Sequence, residues 1–186
     1  MTETPNYVVL RKDKGVELRE YPAYIKAEVT LENMSYRQAI LKGFRILAGY
    51  IFGNNTSSDE IAMTSPVQVS NTKKIAMTKP VTISGDDAFT VTFIMPSQYS
   101  LSTLPTPNDP SVNFTEVKVH SMAAMRFSGF YWESNVRRAE RRLKDWLDKE
   151  GIRTVGNFIA AGYNPPWVPW FLARNEVMIE IMKPEV

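Results

Sequence analysis

The sequence predicts an α+β fold, a distorted antiparallel β-barrel flanked by two long helices and built from two pseudo-repeated strand-strand-helix-strand halves. The first observation is that segments of period-two alternation surround two stretches of helical spacing, near residues 35–52 and 134–150. The second is that "VELREYPAY" aligns with "VKVHSMAAM" at an offset of 101 (117 − 16), and that the expected helix caps are offset by 99 (134 − 35). A chain of 186 residues organised in this way predicts one domain spanning residues 1–186.

Two β-segments open the first half. Residues 7–30 alternate β-branched or aromatic residues with charged ones on either side of a turn at Lys14-Gly15. Pro22 cannot donate a ladder hydrogen bond, so the second segment is predicted to be an edge strand.

The first helix is predicted to begin after the N-cap Ser35 and to run to Gly53. Its core-facing spacing is carried by Tyr36, Ile40, Phe44, Leu47 and Ile51. The second helix is predicted to begin at a Ser134 cap and to stop at Gly151.

Residues 59–96 are predicted to form three strands and contain the phrase Ile-Ala-Met-Thr-x-Pro-Val twice, starting at residues 61 and 75. The spacing of 14 residues (75 − 61) is shorter than the roughly 20–50 residues of stacking repeats, so the two copies are interpreted as consecutive arms of one sheet. After a proline-rich link, "FTEVKVHSMAAMRFSGFY" and "NEVMIEIM" are predicted strands on either side of the second helix.

The two helices differ in the width of their apolar surface. The second has an apolar arc of roughly 100°, whereas the arc of the first helix is widened to roughly 240° by Leu41, Ala48 and Phe52 on one side and by Ile46 on the other. Three interpretations remain open for this extra surface: cover by a loop, a homodimer interface, or the floor of a groove for a flat apolar ligand. In the third case Arg45, with Arg37 and Lys42 nearby, could meet anionic groups of the ligand.

The composition excludes several function classes. There is no cysteine, so thiolate metal sites and a thiol nucleophile are absent, and the single His120 cannot form a zinc site alone. The formal charge of +2, from 22 basic and 20 acidic residues, gives no strong field for nucleic acid. Neither a secretory signal nor the ~18 apolar residues of a membrane span is found, which predicts a cytoplasmic protein without membrane insertion.

Several phrases together resemble the SOUL, or heme-binding protein, family in its bacterial and algal type with the doubled Ile-Ala-Met-Thr-x-Pro-Val motif. They are "IAMTSPV", "IAMTKPV", "FIMPSQYSLSTLPTPNDPSV", "RFSGFY" and "GYNPPWVPWFLARNEV". The resemblance extends from about Tyr7 to Ile181 and implies a barrel similar to GyrI-like effector-binding domains.

The resemblance also implies that heme or a related tetrapyrrole binds in a shallow hydrophobic groove by the first helix, as in a non-catalytic carrier or buffer. The groove residues expected here are Leu41, Lys42, Arg45, Ala48, Phe52 and Met63. Glu20 stands where some members have a proposed histidine ligand, so strong axial histidine ligation is not expected. The expected partner is heme or another porphyrin, and the expected state is a monomer or weak homodimer.

An alternative is a GyrI-like small-molecule hydrolase or effector-binding protein that uses a pocket carboxylate and a tyrosine. Its first candidates are Glu176, Tyr163 and Tyr131. A third possibility is an interaction protein that dimerises through the first helix.

Overall fold

The computed structural model describes residues 4–72, 88–129, 131–163 and 173–182. In chain order the elements are β1 (Val8–Asp13), β2 (Val16–Tyr21), β3 (Tyr24–Leu31), α1 (Tyr36–Ile51), β4 (Val67–Thr72), β5 (Ala88–Ile94), β6 (Asn113–Val117), β7 (His120–Phe127), α2 (Glu133–Lys149), β8 (Thr154–Gly162) and β9 (Asn175–Ile181). The predicted α+β class with two long helices is confirmed.

The strands form one antiparallel sheet of order β1-β2-β7-β9-β8-β4-β5-β3-β6. Among the described residues no pairing joins the outer strands β1 and β6, so the sheet is open and the barrel description fits it only loosely.

The predicted pseudo-repeat is present as β2-β3-α1-β4-β5 and β6-β7-α2-β8-β9, with one more strand after the helix in each unit than predicted. The first strand of each unit pairs with the second strand of the other unit: β2 pairs with β7, and β6 pairs with β3. The helices begin 97 residues apart (133 − 36), so the strand alignment at an offset of 101 is wrong by four residues. Side chains alternate between the two faces of a strand with a period of two residues. An alignment shifted by four residues therefore keeps every residue on its face, and the sequence pattern does not reveal the shift.

The prediction of an edge strand in the first half is wrong. Residues 16–31 form two strands, and both lie inside the sheet, β2 between β1 and β7 and β3 between β5 and β6. Pro22 lies in the turn between them, where a missing N–H removes no ladder bond. The Lys14-Gly15 turn is confirmed, with φ values of 45° and 85° that suit a tight hairpin.

The first copy of the repeated phrase leads into β4, which begins at its last residue, Val67, while residues 61–66 lie outside the named strands. Its Thr64 is buried and donates a hydrogen bond to the carbonyl oxygen of Ile94 at the end of β5. The second copy, residues 75–81, and the aromatic segment 164–171 lie outside the described residues.

Each helix covers a different half of the sheet. Ser35 caps α1 in a reciprocal arrangement with Gln38, and α1 packs mainly on β5 and β3. The N-cap of α2 is Trp132, so the predicted Ser134 cap is wrong and Ser134 lies in the first helical turn. The helix α2 packs on β7 and β9. In the described part of the chain, neither helix is long and apolar enough to cross a membrane.

Candidate functional site

The outer side of α1 presents apolar side chains away from the sheet. At 100° per residue, Leu41, Arg45, Ala48 and Phe52 fall within an arc of about 60°, and we call these four residues the α1 face. Leu41 is 59% exposed and Phe52 is 64% exposed, whereas Leu47 on the core side of the helix is fully buried. The wide apolar arc predicted for this helix therefore includes a surface that the described residues leave open.

The backbone beneath the α1 face is tightly held. Gly43 lies so close to β5 that an added Cβ would be 2.5 Å from Cγ2 of Val91, which lets the helix axis approach the sheet. At the end of the helix, the hydroxyl of Tyr50 donates to the carbonyl oxygen of Pro105 at 2.9 Å. The buried side-chain amide of Asn55 donates to the carbonyl oxygens of Tyr50 and Asp59 at 3.2 and 2.7 Å. The surface is thus carried by a fixed element rather than by a loop.

The charge on α1 is entirely positive. Arg37, Lys42 and Arg45 are exposed, and the sequence of the helix contains no carboxylate. None of the three forms an ion pair within the described ranges, although the charge of Lys42 acts on the Asp109 carboxylate, so an anionic group placed beside the helix can still reach them.

The six residues expected at the site are not all brought together. Leu41, Arg45, Ala48 and Phe52 share one face, and Lys42 lies exposed about 60° from Arg45 around the helix axis. Ala48 is only 9% exposed, so it lies at the base of the surface. Met63 is half-buried and packs against the cluster of core residues under the helix.

The single histidine is packed in a different place. His120 at the start of β7 stacks on Tyr21 with a centroid distance of 5.7 Å and contacts Tyr24 at 5.6 Å. Its Nδ1 lies 2.8 Å from the carbonyl oxygen of Lys118. Among the residues that the structure describes, no group of His, Asp and Glu has the arrangement of a metal site.

A buried carboxylate lies on the opposite side of the sheet from the helices. Glu176 is fully buried, and its two oxygens accept hydrogen bonds from Nη1 and Nη2 of Arg19 at 2.7 and 3.0 Å. Arg126 donates through Nε at 3.2 Å, Arg174 through Nη2 at 2.9 Å, and the hydroxyl of Tyr163 at 2.8 Å. The carboxylate is therefore saturated with donors.

This network does not suit acid–base catalysis. Burial opposes ionisation of Glu176, but the hydrogen bonds and charge of Arg19, with Tyr163 and Arg174, outweigh burial and lower its pKa to about 2. A carboxylate with so low a pKa and no exposed oxygen is a poor base. Burial, followed by the charge of Glu176, raises the pKa of Tyr163, and burial raises the pKa of Tyr131. The three residues proposed for a hydrolase thus form a structural ion-pair network and a buried tyrosine.

Sequence reasoning missed the partners of Glu176. Arg19 lies in "VELREY", where alternation places it on the face opposite Val16 and Leu18, and a charged residue at such a position is usually solvated. In the structure Tyr7 covers it, with the guanidinium carbon of Arg19 4.3 Å from the ring centre. Arg19 in β2 and Glu176 in β9 meet across the intervening strand β7, a strand order that one sequence does not show.

The chain matches known proteins over most of its length. A model of the SOUL heme-binding protein family matches residues 2–180. Heme-binding protein 1 of Xenopus laevis is 26% identical over 163 residues, covering 87% of this chain and 80% of that protein. Heme-binding protein 2 of Mus musculus is 24% identical over 177 residues, covering 88% of this chain and 80% of that protein.

Solved structures share the fold at lower identity. The EcmrR C-terminal domain superposes with a TM-score of 0.66 at 13% identity, covering 91% of this chain and 98% of that chain. A hydrolase from Listeria innocua superposes with a TM-score of 0.58 at 10% identity, covering 93% of this chain and 94% of that chain. At such identities the likeness describes the architecture alone.

Proposed function

This chain belongs to the SOUL heme-binding protein family, and on that premise we propose that it binds heme or a related tetrapyrrole on the α1 face. The binding is non-catalytic, and the protein acts as a carrier or buffer of its ligand. The observation that carries the placement is the exposure of Leu41 and Phe52 on the side of α1 that points away from the core.

Apolar contact supplies most of the affinity in this proposal. Covering apolar surface stabilises a complex by about 25 cal/mol per Å². Leu41 and Phe52 lie 11 positions apart, a separation of about 16 Å along the helix axis, so a flat macrocycle can lie across several turns. Ala48 between them lets the ring approach the backbone.

Charge orients the ligand. The carboxylates of a tetrapyrrole would meet Arg45 and Lys42, which have no competing carboxylate on α1. The iron would receive no strong nitrogen ligand from the protein. Glu20 in β2 stands where some family members have a proposed histidine ligand, and His120 packs between Tyr21 and Tyr24. We do not extend the proposal to hydrolysis, because Glu176 is paired with Arg19. Without ligand, the chain would be a monomer or would form a weak homodimer through the α1 face.

A hemin titration followed by the Soret absorbance tests the proposal. The informative variants are Leu41→Glu and Phe52→Glu, since both side chains are exposed and their replacement leaves the core intact. Val119→Glu is the matched control, because Val119 is 62% exposed at a position away from both helices. Each α1 variant should weaken hemin binding about tenfold or more, as expected from losing the burial of one large apolar side chain. Equal binding by all four proteins would exclude the α1 face as the site.

A further inference from the structure

A cleft between α2 and the ends of β7 and β9 is lined by four arginines. These are Arg126, Arg138, Arg142 and Arg174, which we call the arginine cleft, and the cleft has a volume of about 580 Å³. Its other described walls include Phe127, Ala139 and Asn135, and none of the described residues that line it is a carboxylate. None of these residues belongs to α1, so the cleft is separate from the α1 face.

Two of the arginines are uncompensated. Arg138 and Arg142 are exposed and one helical turn apart, and neither has an ion-pair or hydrogen-bond partner in the described part of the chain. Like charges at this spacing destabilise a helix slightly. Elsewhere on α2, Arg137 pairs with Glu133 at 2.5 Å and Lys144 pairs with Asp148 at 2.6 Å. The cleft side of α2 thus carries charge that the helix itself does not balance.

The other two arginines are fixed in place by the buried carboxylate. Arg126 uses only its Nε on Glu176, so both of its terminal nitrogens remain without a partner in the described residues. Arg174 is held by Glu176 and by its position over the ring of Tyr163, 4.1 Å from the ring centre. Glu176 shares its one negative charge among Arg19, Arg126 and Arg174, and of these Arg19 also pairs with Glu17 at 2.8 Å, so Glu176 does not neutralise Arg126 and Arg174 together. The cleft therefore has a net positive charge on a pre-ordered wall.

We propose that the arginine cleft binds a phosphorylated small molecule that carries a diphosphate or two phosphate groups. A phosphate group carries more negative charge than a carboxylate and has three terminal oxygens, so it suits a surface on which several guanidinium groups converge. The volume lies within the usual range of roughly 300–1,000 Å³ for small-molecule sites, which leaves room for an organic part beside Phe127 and Ala139. Four arginines around one concave surface thus favour two phosphates over one.

Calorimetric titration of the full chain with pyrophosphate at low ionic strength tests the assignment. The variant Arg138→Gln/Arg142→Gln should weaken binding by about tenfold or more, since hydrogen bonds to two charged groups are lost. Arg37→Gln/Arg141→Gln removes the same charge from exposed positions outside the cleft and should change affinity by less than about twofold. The four substituted residues are all exposed, so both double variants should keep the melting temperature of the parent protein. They are Arg138, Arg142, Arg37 and Arg141.

Four results would overturn the proposal. Absence of pyrophosphate binding at millimolar concentration would remove the site, and equal weakening in both double variants would reduce it to general surface charge. Tighter binding of citrate than of pyrophosphate would reassign the cleft to carboxylates. Co-sedimentation with phosphatidic acid vesicles that requires Arg138 and Arg142 would assign it to a lipid surface, whereas a small-molecule site predicts no such dependence.

Discussion

Arg19 and Glu176 form a fork-to-fork ion pair between strands β2 and β9, with distances of 2.7 and 3.0 Å, and both side chains are fully buried. Strand β7 separates the two strands, so the pair reaches across it. Because β2 and β9 belong to different pseudo-repeated units, the ion pair joins the two halves of the chain.

Replacing Glu176 should strongly destabilise the protein. Glu176→Gln removes the negative charge that contacts both Arg19 and Arg126 and leaves Arg19 paired with Glu17, and breaking a buried pair by removing one partner costs about 3–5 kcal/mol. Urea unfolding measures the change. Glu116→Gln, at an exposed position in β6, should alter the free energy of unfolding by less than about 0.5 kcal/mol. A small, equal effect of both substitutions would contradict the structural importance of the pair.

The same pair should make stability depend on pH in the acid range. The pKa of Glu176 is about 2 in the folded protein, compared with 4.5 for an ordinary glutamate. A lowered folded-state pKa contributes stability that is complete above the unfolded-state value. This contribution is lost as the pH falls from about 4.5 towards 2.

Urea midpoints at pH 5 and pH 3 provide the measurement. The parent protein should lose more stability over this interval than Glu176→Gln, because the variant lacks the titrating group. The difference between the two proteins isolates Glu176 from the other carboxylates. Parallel losses in both proteins would show that its pKa is not depressed in the fold.

How far the sequence predicts this molecule depends on which faces of the sheet are covered. Helical spacing and the Ser35 cap located α1 correctly, because a helix that covers one side of a sheet has a clear apolar stripe. Pro22 misled the strand assignment, because a proline between two strands and a proline in an edge strand look alike in sequence. Strand β8 was missed as a separate element.

The candidate site shows the same division. The excess apolar width of α1 could be calculated from residue spacing, and the exposure of Leu41 and Phe52 agrees with it. The partners of Glu176 could not be found, because they are brought together by pairings between residues 157 positions apart. The arginine cleft has no signal in the sequence, because the packing of α2 against β7 and β9 is what places Arg138 and Arg142 near Arg126 and Arg174.

The two glycines inside α1 should respond in opposite ways to alanine. Glycine in a helix interior usually costs about 0.5–1 kcal/mol relative to alanine, and Gly49 has only Asn54 atoms at 3.9 Å or more from an added Cβ. Gly49→Ala should therefore stabilise the protein by up to about 1 kcal/mol. Gly43→Ala would place its Cβ 2.5 Å from Val91 and should destabilise it by about 1–3 kcal/mol. Thermal unfolding compares the two, and stabilisation by both would mean that α1 does not approach β5 this closely.

Arg45 and His120 should affect hemin binding unequally. Arg45→Ala removes one charge-assisted contact to a carboxylate and should weaken binding by roughly three- to tenfold, with no change in the Soret wavelength. His120→Ala should leave both affinity and wavelength unchanged, because the ring packs on Tyr21 and Tyr24. Absorbance titrations measure both quantities. A shifted or abolished Soret band in His120→Ala alone would make the histidine an axial ligand.

The most direct measurement locates the ligand on the backbone. Zinc protoporphyrin is diamagnetic, so its titration into ¹⁵N-labelled protein reports ring-current shifts of the amides it covers. We expect the largest shifts in α1 between Leu41 and Phe52, and little effect on the amides of β7 around His120. Large shifts confined to β7 or to the strands around Glu176, with α1 unchanged, would contradict the placement of the tetrapyrrole on the α1 face.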